Sequence, residues 1–96
     1  MQTNELDGRV AIVTGSSSGI GEAVAHRLAG MGAHVVVNSS SSVAAGEAVA
    51  AALPGDGHLY VQADISDQAQ GQRLLDTTLE RFGRLDILIN NAGWTT

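Results

Sequence analysis

Four short β-branched runs, separated by helix-length stretches, constrain this chain more than any other feature. Val10-Ala11-Ile12-Val13, Val35-Val36-Val37, Leu59-Tyr60-Val61 and Ile87-Leu88-Ile89 are continuous runs without polar alternation. Such runs suit strands buried on both faces, as in a parallel sheet flanked by helices. After the first run, Ile20, Val24, Leu28 and Met31 recur at helical spacing, and Gly32 stands where that helix would stop. The Ala-rich stretch from Ser42 to Leu53 sets Val49 and Leu53 inward and Glu47 outward, and Pro54 ends it. Asp67 with Gln70 reads as a reciprocal cap of a third helix. Its expected inner stripe is Leu75, Leu79 and Phe82, its stop is Gly83, and Arg81 and Arg84 sit near its negative end.

The resulting order, β-α-β-α-β-α-β, predicts an α/β fold: one Rossmann-type parallel sheet with helices on both faces, spanning residues 1–96 as a single domain. The expected spatial strand order is 3-2-1-4, with the fourth strand at an edge.

Composition removes several function classes. The chain carries ten acidic and five basic residues, all five of them Arg, so no basic stripe for nucleic acid is visible. With no cysteine, disulfides and thiolate metal sites are excluded. His26, His34 and His58 share no metal-ligand spacing and read as surface residues, and Tyr60 reads as a packing residue. The first residues lack the basic start and apolar stretch of a signal peptide, and no run is long enough to span a membrane. The expectation is a cytoplasmic protein with no membrane partner.

Each apolar run ends in a polar residue: Thr14, Asn38, Asp64 and Asn90. In an open parallel sheet the ligand lies outside the carboxyl ends of the strands. The first of these ends opens Thr14-Gly15-Ser16-Ser17-Ser18-Gly19-Ile20-Gly21. There Gly15 permits a sharp turn, Gly19 lets the backbone approach a diphosphate, Gly21 permits close helix packing, and Ser16, Ser17 and Ser18 add hydroxyl donors without bulk. The helix N-terminus supplies free N–H groups and the positive end of its dipole. The spacing differs from the commoner G-x-G-x-x-G, and the Lys of a nucleotide triphosphate loop is absent from the chain. A glycine-rich turn without a ligand is the plainer alternative, and for Asp64 a simple turn cap.

The Thr14-Gly15-x-x-x-Gly19-x-Gly21 segment, then Asp64-Ile65, then Asn90-Asn91-Ala92-Gly93 resemble the TGxxxGxG, Asp-Val/Ile and NNAG signatures of the short-chain dehydrogenase/reductase family. The NNAG element is the most specific, and it argues against a methyltransferase, whose fold also opens with a glycine-rich turn. The resemblance implies an NAD(P)-dependent oxidoreductase that reduces a carbonyl or oxidises an alcohol by hydride transfer. It implies that Gly15, Ser17, Gly19 and Ile20 lie along the ribose and diphosphate, that Asp64 accepts from the adenine amino group, and that the Ile65 backbone contacts the ring. Asn91, Ala92 and Gly93 would line the cofactor, while Asn90 braces the central strands.

The family's catalytic Tyr, its Lys four residues later and its Ser belong to later elements. The chain has no Lys and only one Tyr, so it is expected to be the cofactor-binding part alone, incomplete at its C-terminus and without catalytic residues. The complete protein would be a homo-oligomer acting on a small carbonyl or alcohol. The alternative is a non-catalytic nucleotide-binding module or an inert remnant. On cofactor choice, no acid follows the second strand at Asn38-Ser39-Ser40, so nothing repels a 2′-phosphate. No Arg stands at Ser18 or Ser40 either. The reading leans to NADP over NAD, with Ser16, Asn38 and Ser39 as neutral donors.

Overall fold

The computed structural model describes residues 4–91. Its elements run β1 (Val10–Val13), α1 (Gly19–Gly30), β2 (His34–Ser39), α2 (Val43–Ala52), β3 (Leu59–Gln62), α3 (Gln68–Phe82) and β4 (Ile87–Ile89). The sheet order is β3-β2-β1-β4, as the alternation predicts. Every pair is parallel, with Val13 opposite both Val37 and Ile89.

Alternation along the strands splits the core in two. Val13, Val35 and Val37 face α1 and α2, where Ala25, Ala29, Val49 and Leu53 close over them. Ile12, Val36 and Val61 face the other way, toward Leu74 and Phe82 of α3. Both sheet faces therefore carry helices, and the central strands β1 and β2 are apolar throughout for that reason.

The helical stripes differ from the expected ones by one position. On α1 the buried residues are Gly21, Ala25 and Ala29. Val24 and Leu28 only flank the core, and Ile20 is 76% exposed. Small side chains face the sheet because the start of α1 lies directly against the loop that follows β1. On α3 the inward residues are Leu74 and Thr78. The Thr78 hydroxyl donates to the Leu74 carbonyl at 2.9 Å, so it is buried at little cost. Leu75 and Leu79 turn aside, and Leu79 is 42% exposed.

Helix ends follow the local chemistry closely. Leu53 is extended, as the residue before Pro54 must be, and α2 stops there. Gly83 adopts φ 77° and closes α3, a conformation that favours glycine. Asp67 caps α3 by accepting from the Ala69 and Gln70 amides. The reciprocal half of that cap is not made as expected: Gln70 Oε1 accepts from the Asp64 amide at 2.8 Å instead. The third helix is thereby tied to the end of β3. Arg84, expected to sit on the α3 terminus, instead reaches Asp86 through two hydrogen bonds of 2.8 and 2.9 Å. That contact, with the Val10 amide and Arg9, holds the Asp86 carboxyl down to about 2.

Among the described residues β4 pairs only with β1, and so forms an edge of the sheet. An apolar groove of about 270 Å³ runs there between α3 and β4, lined by Ile12, Ile65, Leu74, Leu75, Leu85 and Leu88, and Leu88 is 60% exposed. No helix among the described residues is long and apolar enough to cross a membrane.

Candidate functional site

All four polar strand ends converge on the carboxyl edge of the sheet, where the chain leaves β1. Gly15 turns out of the strand at φ 63°, and Gly19 opens α1 at φ 61°. Both angles favour glycine, which explains two of the three glycines in the segment. The third, Gly21, is required by space. A Cβ there would lie within 2.9 Å of Asn91 Nδ2 and Ser16 Cα, and closer still to the Gly15 carbonyl. The helix thus sits against the loop and the end of β4 rather than simply on the sheet.

Hydrogen bonds fix the loop from both sides. From β2, Asn38 Oδ1 accepts from the Gly15 amide at 3.3 Å, and the Asn38 carbonyl accepts from the Ser16 amide at 2.8 Å. From β4, Asn91 Nδ2 donates to the Gly15 carbonyl at 3.2 Å, and the Asn91 amide donates to Thr14 Oγ1 at 2.8 Å. Thr14 Oγ1 also lies 3.2 Å from Asn90 Oδ1. The loop is therefore preorganised by its neighbours.

What faces outward is a small set. Ser18 is exposed, Ser17 partly so, and no side chain caps α1. Space beyond Gly19 is open, since a Cβ there would meet nothing within 4 Å. The first N–H groups of α1 and the exposed Ile20 border that space. At the end of β3, Asp64 Oδ1 accepts from the Ser66 amide at 3.0 Å and from the Ser66 hydroxyl at 2.6 Å. Those bonds hold the Asp64 carboxyl below the usual carboxylate range. Its Oδ2 has no partner among the described residues. The plain turn-cap role is therefore the one its Oδ1 performs. Ile65 is half-buried and packs on the α3-side core.

Three of the neutral donors expected for a ribose or 2′-phosphate are committed internally. Ser16 is fully buried, donates to the Val13 carbonyl at 2.6 Å and accepts from the Asn38 amide. Asn38 is 1% exposed, and its amide donates to the carbonyls of Val61 and Ala63, both at 3.1 Å. Ser39 Oγ lies 2.5 Å from the Tyr60 hydroxyl. All three brace the protein around the loop: a polar side chain buried at the end of an inner strand must first satisfy the backbone around it. Ala92 and Gly93 lie outside the described residues.

Tyr60 packs as expected, and its partner is specific: a Cβ on Gly46 would overlap its ring, so α2 rests on that ring through a glycine. His34 and His58, expected as surface residues, have structural partners. His58 accepts from the Val35 amide at 3.1 Å and bonds the Pro54 carbonyl at 2.8 Å, while His34 stacks on Phe82 at 5.5 Å. The signal available was the pairing of β2 with β3, which sets Tyr60 beside Val37 and two positions from Ser39.

The sequence model described as short chain dehydrogenase matches residues 9–96. The chain belongs to the short chain dehydrogenase family. It is 58% identical over 95 residues to the Streptomyces violaceoruber protein named as granaticin polyketide synthase ketoacyl reductase 2, covering 99% of this chain and 37% of that one. The fold superposes with a TM-score of 0.90 and 42% identity on a Burkholderia cenocepacia short chain dehydrogenase crystallised with NADP, covering 97% of this chain and 39% of that one. It also superposes with a TM-score of 0.80 and 43% identity on a 3-ketoacyl-(acyl-carrier-protein) reductase from Brucella melitensis complexed with NADH, covering 86% and 33%. The chain thus spans little more than a third of the relatives it matches. Within the family's frame, these residues form the first βαβ unit with its glycine loop and the strands on either side.

Proposed function

We propose that this chain supplies the dinucleotide-binding half of an NAD(P)-dependent oxidoreductase that interconverts carbonyls and alcohols. The observation that carries the reading is the uncapped start of α1 behind two positive-φ glycines, with open space beyond Gly19 and the loop bolted to β2 and β4. Such a start presents free N–H groups and a dipole end to a diphosphate without needing a cation. Asp64, whose Oδ1 is held by Ser66, is assigned by the family motif to an adenine amino group at the other end of the same edge. Ser17, Ser18, Gly19, Ile20 and Asn91 border the path between them, and Ala92 and Gly93 are assigned to it by the family motif. The presence of NADP and NADH in related structures supports both cofactors in principle.

The bound dinucleotide would supply the hydride. The acid/base group is not among these 96 residues, because the only Tyr is held against Ser39 and no Lys exists. These residues bind and orient. The complete enzyme is proposed to be a soluble cytoplasmic homo-oligomer acting on a small carbonyl or alcohol.

Titration of the natural full-length protein with NADPH and NADH, followed by nicotinamide fluorescence, tests the reading. Saturable binding of at least one, abolished by Gly19→Val, is expected. The valine fills the open space and is strained at φ 61°. Absence of binding to either dinucleotide, or turnover by these 96 residues alone, would overturn it.

A further inference from the structure

Aspartate is followed by glycine at two positions, Asp7-Gly8 and Asp56-Gly57, and both aspartates are exposed. The fold treats the two steps differently. Around Asp7 the backbone is held. The Arg9 amide donates to the Leu6 carbonyl at 2.9 Å, closing a turn over Asp7 and Gly8. The Asp7 amide donates to the Asn4 carbonyl at 3.1 Å, and the Leu6 amide to the Met31 carbonyl at 2.9 Å. Asp7 also packs on Gly32, where a Cβ would lie 3.0 Å from the Asp7 Cα. By contrast, no backbone–backbone hydrogen bond among the described residues holds positions 54–57, the turn between α2 and β3. Two imidazoles hold it instead. His58 Nε2 donates to the Pro54 carbonyl at 2.8 Å, and His34 Nδ1 donates to the Asp56 carbonyl at 3.1 Å. Asp56 stands between Gly55 at φ 83° and Gly57 at φ 77°, and the Gly57 amide donates to nothing among the described residues.

We propose that Asp56-Gly57 is a site of spontaneous covalent modification, where Asp56 isomerises to isoaspartate and the turn thereby lets go of the β2 edge. The Gly57 nitrogen attacks the carbon of the protonated Asp56 carboxyl. A C–N bond forms, a C–O bond breaks, and the hydroxyl leaves as water with the nitrogen's proton. The five-membered imide then takes up one water at either carbonyl. Opening at one restores Asp56, and opening at the other runs the chain through the side-chain carbon as isoaspartate. Ring closure needs rotation of the backbone between the aspartate and the glycine nitrogen. At Asp7 that rotation breaks the hydrogen bond from Arg9 to Leu6, whereas at Asp56 it breaks no backbone–backbone bond. Glycine at both steps leaves the nitrogen unobstructed by a side chain. The product adds one methylene to the backbone two residues before His58. His58 Nδ1 accepts from the Val35 amide at 3.1 Å, next to the Val36–Leu59 pair that opens the β2–β3 ladder. Lengthening the turn pulls the imidazole from that amide.

The test ages the natural full-length protein, as wild type, Asp56→Glu and Asp56→Asn, in buffer and in urea. Peptide mapping then locates isoaspartate by electron-transfer fragmentation and by lost cleavage with a protease that cuts before Asp. In folded wild type, isoaspartate is expected at residue 56, preceded by an imide one water lighter, and about tenfold more slowly at residue 7, the factor set by opening its hydrogen-bonded turn. In urea the two rates should converge. Asp56→Asn should convert faster at the same position with ammonia as the leaving group, and Asp56→Glu should abolish the reaction there. Equal rates at residues 7 and 56 in the folded protein, or reaction at residue 56 in urea alone, would overturn the proposal. Hydrogen exchange on the separated isoaspartyl form should show faster exchange of the Val35 amide, and an unchanged rate would overturn the release of β2.

Discussion

Asn38→Asp is the sharpest test of how the site is built, because it changes one side-chain nitrogen to oxygen and almost no volume. Asn38 is 1% exposed and its side chain makes three hydrogen bonds. The introduced carboxyl can still accept from the Gly15 amide. Its second oxygen, however, faces the carbonyls of Val61 and Ala63, where the native nitrogen donates at 3.1 Å to each. Ionised, it is a buried charge aimed at two acceptors, a loss of about 3–5 kcal/mol. A domain of this kind has about 5–15 kcal/mol in total. Protonated, it regains one donor, and the loss falls to about 1–2 kcal/mol. The sign follows from linkage: the folded state disfavours the ionised form, so the introduced group's folded pKa is raised above its unfolded value near 3.9. The variant keeps its stability below that value and loses it as pH rises through the folded pKa. Urea denaturation of wild type and variant from pH 4 to pH 8 measures the gap. A gap that stays below about 1 kcal/mol at pH 8, or that does not narrow toward pH 4, would refute the hydrogen-bond assignment.

Other expectations concern separate contacts. Gly21→Ala should destabilise by about 1–3 kcal/mol and weaken dinucleotide binding, since its Cβ meets backbone that cannot swing aside; thermal melts and ligand titration check both. Gly46→Ala should cost a similar amount in wild type but clearly less when combined with Tyr60→Leu, and a double-mutant cycle with coupling near zero would contradict the packing of α2 on that ring. Asp86, held down to about 2 by Arg84, the Val10 amide and Arg9, stabilises the fold above its unfolded pKa near 3.9, a contribution lost as pH falls toward 2. Asp86→Asn should therefore lower the melting temperature at pH 7 and flatten its fall in acid.

The architecture was legible because period and punctuation agreed. Val10–Val13 and Val35–Val37 are apolar on both faces only where both faces are covered, and Gly83 and Pro54 stop helices by backbone geometry alone. Helix facing was less legible. Ile20 and Leu79 are larger and more apolar than Gly21 and Thr78, yet the smaller residues face the sheet because contact distance, not hydrophobicity, decides there. The site was legible as a place and less so as a set of roles. Ser16 was marked by the glycine motif, and Asn38 and Ser39 by their place at the end of β2. Whether a hydroxyl or amide points to a ligand or to a carbonyl depends on neighbours 20 or more positions away, such as Tyr60 and Val61, which periodicity does not reveal.

The bonds from Asn91 to Thr14 and Gly15 have a consequence in time. They join positions 77 and 76 apart, so the glycine loop lacks its second set of restraints until nearly the whole of this chain has been synthesised and β4 has docked on β1. Loop closure over that separation is entropically slow compared with forming α1 or α2. The loop should therefore be the last part of this unit to acquire its final shape during refolding. Pulse-labelled hydrogen exchange would detect this as late protection of the Asn91 amide relative to the amides of β2, and simultaneous protection of the two would show that the loop does not wait for the fourth strand.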